Sequence, residues 1–75
     1  MHNIGKNIKH LRLQQKLTQD ELAERLFVTR QTISNYETGK SKPDVEMLAK
    51  IAEVLETDAN TVIYGPPAPV SKKQE

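Results

Sequence analysis

The 75-residue chain has no cysteine, no tryptophan, one phenylalanine, two tyrosines and three glycines. Without cysteine, neither a disulfide framework nor a thiolate zinc site can brace the fold. His2 and His10 are too few to build a metal site alone and are expected on a solvated helix face, so neither metal nor cofactor is anticipated. The scarcity of aromatic rings removes the stacking platforms that single-stranded RNA and DNA binders use. No apolar run approaches the ~18 residues of a membrane span, and no signal-peptide segment is visible. The expectation is therefore a cytoplasmic chain with no membrane partner. No nucleophile–base set and no glycine-rich phosphate loop is present, which makes an enzyme the weakest class. What remains is one small domain with a modest core.

Charge is plentiful but segregated. Lys6, Lys9, Arg12 and Lys16 occupy residues 1–16 with no acid among them, whereas residues 44–64 set Asp44, Glu46, Glu53, Glu56 and Asp58 against Lys50 alone. Between Glu24 and Asp44 the only acid is Glu37. One end is thus basic and the other acidic, which would orient the chain on a polyanion. An ordinary solvated surface is the plainer account of the same charges.

Periodicity and cap signals predict five helices and no strand. The first runs from the cap Asn3 to about Gln15, with Ile4, Ile8 and Leu11 on one stripe. The second opens at Thr18, which with Glu21 writes a capping box, flanked by Leu17 and Leu22 as a hydrophobic staple. Eleven residues on, Thr29 caps a third helix, with Val28 and Ile33 as the staple pair and Gly39 as the stop. The fourth follows Pro43 at the cap Asp44, its inward stripe read as Val45, Leu48, Ile51, Ala52 and Leu55. The fifth is short, from the cap Asp58 through Val62 and Ile63 to Gly65. Residues 1–65 form the predicted domain, and the Pro-rich, polar segment 66–75 reads as a linker or disordered tail. Only Leu26 to Val28 separate helices two and three, so these must cross sharply, as in a helix-turn-helix.

The run LTQDELAERLFVTRQTISNYETGKSKPD resembles the phage-repressor and Cro family, the xenobiotic-response-element type of helix-turn-helix domain. The likeness is carried by Gln19, the Leu22–Ala23 pair, Val28, the stretch Thr29-Arg30-Gln31-Thr32-Ile33-Ser34, Glu37, Gly39, Lys40 and Pro43, and extends from about Ile4 to Gly65. It implies an all-α, compact five-helix lambda-repressor-like bundle that binds double-stranded DNA in a sequence-specific manner. The recognition helix, about Thr29–Thr38, would lie in the major groove. It further implies a prokaryotic or phage-type transcriptional regulator, acting as a homodimer on an inverted-repeat operator. Ala59, Val62 and Ile63 are the apolar residues least needed by the motif, at an end where this family often meets its second protomer, although for Ile63 burial within the monomer core is the expected role. A DNA-binding antitoxin, and a protein-interaction module that keeps the fold without the DNA activity, stay open as alternatives.

Arg30, Gln31, Ser34, Asn35 and Thr38 share one face of the third helix, opposite Ile33. Every one can donate a hydrogen bond and none is acidic. Arg suits the guanine O6 and N7 acceptors, and Gln or Asn suits adenine. Arg30, Gln31, Ser34 and Asn35 are therefore the candidate base readers, although any soluble helix carries a polar outer face. The resemblance places Gln19, Lys40 and Lys42 against phosphates, with Thr29, Tyr36 and Thr38 as further contacts; the Tyr36 ring is expected to be partly buried beside Ile33. The resemblance also pairs Arg12 with Glu37 across the fold, the alternative being two independent surface charges of little worth. Two positions depart from the family pattern. Phe27 stands in the turn where glycine is common, so the turn should relax or the ring should gain packing to offset a positive φ. Glu56 stands where a glycine often ends the fourth helix.

Overall fold

The computed structural model describes residues 3–65; His2 and the predicted tail 66–75 lie outside the described residues. Among the described residues five helices and no strand are present: α1 (Ile4–Gln14), α2 (Gln19–Leu26), α3 (Arg30–Thr38), α4 (Val45–Val54) and α5 (Ala59–Tyr64). None of these is long and apolar enough to cross a membrane.

Each helix begins where its cap predicts. The Asn3, Thr18, Thr29, Asp44 and Asp58 side chains accept the N–H of the residue three positions on. Around Thr18 the capping box is complete, with the Glu21 carboxylate accepting the Thr18 N–H at 2.8 Å. Each such cap stabilises its helix by about 1 kcal/mol.

The C-termini are less conventional. Lys16, Phe27 and Glu56 all sit in the left-handed region, at φ 59°, 59° and 58°. After α2, the Val28 N–H reaches back to the Ala23 carbonyl and the Phe27 N–H to that of Glu24. Leu17 and Thr57 close α1 and α4 by the same backward step onto Arg12 and Ala52. This closure satisfies orphan carbonyls but requires a positive φ, which glycine usually supplies. At Phe27 neither expected relief occurs: the turn keeps its left-handed residue, and the side chain is 95% exposed.

Ile8, Leu22, Ile33, Ile51, Leu55 and Val62 are the largest fully buried side chains, one or two from every helix or its end. Each contributes about 1.5–3 kcal/mol by leaving water. α3 packs on α1 and α2, α5 on α1 and α4, and α2 on α4. Two expectations need correction. Val45 is 83% exposed, because the buried arc of α4 runs through Leu48, Ile51 and Ala52, with Met47 packed at its flank, and Val45 in the first turn overhangs it. Val62 is fully buried and is not free to meet a second protomer, whereas Ala59 and Ile63 are half-buried.

Candidate nucleic-acid interface

α3 is held from behind by three kinds of contact. Ile33 anchors it in the core at 0% exposure. Gly5 lets α1 lie directly against it, since a Cβ there would come within 2.3 Å of the Tyr36 carbonyl oxygen. The third contact is ionic. Arg12 grips Glu37 with two parallel bonds, Nε to Oε2 at 2.6 Å and Nη2 to Oε1 at 3.1 Å, and its Nη1 donates to the Leu17 carbonyl at 2.8 Å. Gln19 Nε2 adds a bond to Glu37 Oε1 at 3.0 Å. One carboxylate thus ties α1 and α2 to the recognition-type helix α3. With side chains only 8% and 3% exposed, Arg12 and Glu37 are a buried pair and not two solvated charges.

With Glu37 neutralised, the outward side of α3 is free of acid. Arg30, Gln31 and Thr38 are exposed, and Ser34 and Asn35 are half-buried. Arg30 stands at the first helical position, 3.9 Å from Asp20 in an exposed pair that is worth little. Gln31 Nε2 donates to Asn35 Oδ1 at 3.0 Å. The Thr38 hydroxyl spends its proton on the Ser34 carbonyl at 2.9 Å, so contact with a phosphate requires it to turn away. Thr29 Oγ1 accepts the Thr32 N–H and lies 2.9 Å from Thr32 Oγ1.

At the start of α2, Thr18 engages the N–H groups of Glu21 and Leu22. That leaves the first-turn N–H groups of Gln19 and Asp20 pointing out of the helix end, where an anion is favoured. Glu37 holds one Nε2 N–H of Gln19, so its backbone N–H and its other Nε2 N–H are what remain for a phosphate. Beyond α3, Gly39 takes φ 85° and turns the chain into a loop in which Lys40 and Lys42 are exposed. Tyr36 is packed against the core, and with Ser41 and Lys42 it lines a cleft beside the start of α1. Burial, and then the charge of Asp44, push its hydroxyl above the ordinary value of 10.0, so it stays protonated and able to donate.

Three contacts gave no sequence signal. The Gln19–Glu37 bond and the bonds from Asn7 Nδ2 to the Val62 and Ile63 carbonyls join residues far apart in the chain. Gly5 shows as a helical glycine, but nothing in the sequence says what it lies against.

Two helices packed together across a three-residue connection, with the second buried on one side and donor-rich on the other, define the helix-turn-helix class. The Helix-turn-helix family profile matches residues 8–61, and the chain belongs to that family. An uncharacterised HTH-type transcriptional regulator, YqaE of Bacillus subtilis, is 35% identical over 62 residues; the match covers 83% of this chain and 53% of that relative, so the chain spans about half its length. The P22 c2 repressor, solved with a synthetic operator, superposes with a TM-score of 0.80 at 23% identity, over 88% of this chain and all of the other. The biofilm master regulator SinR, solved with DNA, superposes with a TM-score of 0.74 at 30% identity, over 79% of this chain and 95% of the other. The fold is the five-helix repressor bundle.

Proposed function

We propose that this chain binds double-stranded DNA in a sequence-specific manner as a transcriptional regulator, with α3 in the major groove. The observation that carries the reading is the outer face of α3: donor-rich and acid-free, with its one carboxylate, Glu37, buried against Arg12. A groove walled by phosphates would reject the same helix with that charge exposed. The likeness to HTH-type regulators and to a regulator solved with DNA supports the same reading. Arg30, Gln31, Ser34 and Asn35 face base edges. Phosphate is held by the backbone of Gln19 and by Thr29, Tyr36, Lys40 and Lys42, with Thr38 joining once its hydroxyl rotates.

The DNA-binding unit is residues 1–65, followed by a linker-like segment, 66–75. A single nine-residue helix specifies few base pairs, so the working form is a homodimer on an inverted repeat, with half-sites about 34–36 Å apart. The reading assigns the chain no reaction and no cofactor, and it implies a cytoplasmic location.

Fluorescence anisotropy with a duplex selected from a random library tests this. If each half-site neutralises about four phosphates, log K falls with log salt at a slope of about −4 per domain. Failure to bind any duplex at low salt would refute the reading and leave a protein-interaction module.

A further inference from the structure

The hydrogen bond along the outer face of α3 has a consequence for which base is read. Gln31 Nε2 donates to Asn35 Oδ1 at 3.0 Å, one helical turn away. A primary amide carries two N–H donors and two acceptor lone pairs. With one N–H held by Asn35, Gln31 retains the other N–H and its whole Oε1; the two stand side by side when the hydrogen given to Asn35 is the one trans to Oε1, which is the arrangement adenine requires. Gln31 is exposed while Asn35 is half-buried, so Asn35 sits nearer the helix and Gln31 reaches outward. Asn35 is itself anchored, because its backbone carbonyl accepts the Ser41 N–H at 3.2 Å, in the loop between Lys40 and Lys42.

An adjacent donor and acceptor match adenine alone in the major groove. Adenine presents an N7 acceptor beside an N6 donor, guanine two acceptors, cytosine one donor, and thymine one acceptor and a methyl group. Holding the amide before docking also lowers the ordering cost of binding.

We propose that Asn35 is a positioning residue whose Oδ1 fixes the Gln31 amide, and that Gln31 so fixed reads one adenine in each half-site. The proposal rests on the DNA-binding reading above and assigns Asn35 a role other than direct base contact.

The test starts from the preferred duplex of the full chain and the base pair whose selectivity is lost in Gln31→Ala. Adenine at that position is replaced by 7-deazaadenine, which lacks N7, or by 2-aminopurine, which lacks the N6 amino group. Each replacement should weaken wild-type binding about tenfold. In Asn35→Ala the preference for adenine over the other bases should fall about tenfold, and the modified bases should then cost little more. Asn35→Asp keeps the acceptor oxygen and should keep the adenine preference, even as its charge weakens all duplexes alike. A purely structural role for Asn35 would shift the melting temperature without altering this ratio.

Intact adenine preference in Asn35→Ala would overturn the proposal, as would loss of selectivity at a different base pair in that variant. A selective wild-type chain whose Gln31-dependent position is not adenine would overturn this proposal alone. A wild-type chain with no preferred duplex would overturn the DNA-binding reading with it.

Discussion

Removing the Glu37 carboxylate should unfold the domain before it affects any contact with DNA. In Glu37→Ala the Arg12 guanidinium keeps the Leu17 carbonyl but loses both bonds to carboxylate, in a site where its side chain is 8% exposed. Gln19 Nε2 loses its acceptor as well. Stranding one member of a buried ion pair costs about 3–5 kcal/mol. A domain of this size has roughly 3–5 kcal/mol in total. At about 4–8 °C per kcal/mol, the melting temperature should drop by about 12–40 °C, leaving much of the chain unfolded near room temperature. Replacing both partners by apolar groups, Arg12→Met with Glu37→Leu, removes the stranded charge and should recover much of the loss. Recovery should be incomplete, because the Leu17 carbonyl and the Gln19 amide must then find water. Thermal and urea melts followed by far-ultraviolet circular dichroism measure all three proteins. A Glu37→Ala melt within a degree or two of the parent would refute the reasoning, as would a double variant no more stable than the single one.

Gly5→Ala should destabilise by about 1–3 kcal/mol, because its Cβ would meet the Tyr36 and Glu37 backbone oxygens and a helix must move; an unchanged urea midpoint would argue against so close a contact of α1 with α3. Phe27→Gly should stabilise by about 1 kcal/mol, since the left-handed residue is relieved and a 95% exposed ring gives up no packing; a lower melting temperature would show that the ring is in fact packed. Asp58 is fully exposed, and its carboxyl is held below the usual 3.8, first by the Thr61 N–H and then by the Thr61 side chain. A folded value below the unfolded one means that this cap's contribution is present above about pH 4 and is lost as pH falls through the folded value. Asp58→Asn keeps a neutral cap, so its melting temperature should decline less steeply with acid than the parent's; identical acid slopes would count against it.

All five helix starts were legible because a cap is a local event: Asn3, Thr18, Thr29, Asp44 and Asp58 each bond three residues ahead. The ends of α1, α2 and α4 carried a weaker signal, because Lys16, Phe27 and Glu56 occupy positions where glycine normally gives it; the family pattern marked Phe27 and Glu56, and nothing marked Lys16. Leu17 and Val28, the residues after two of those positions, carry what signal there is, since each turns back toward the core. Val45 was misassigned because periodicity locates a stripe on a helix but not where the neighbouring helix ends. The pairing of Arg12 with Glu37 came from family resemblance and not from spacing, and it took coordinates to show Gln19 sharing the same carboxylate. For the candidate site, α3 periodicity was enough to choose the outward residues. It could not show which of them are already engaged with one another.

That engagement bears on how the fold separates stability from recognition. Of the nine residues of α3 only Ile33 is fully buried, so apolar burial alone holds the helix weakly. Its position depends in addition on a backbone contact at Gly5 and on a carboxylate clamped by α1 and α2. All of these restraints act on the inner side or the last turn. Arg30, Gln31 and Ser34 take no part in them, and exposed positions of that kind usually change stability by no more than about 0.5 kcal/mol when substituted. The outer face can therefore vary with the ligand while the clamp stays fixed. On the proposed function, this also accounts for an acid being kept on a helix that would face a polyanion: buried against Arg12, Glu37 helps fix where the outer face stands without adding negative charge to it.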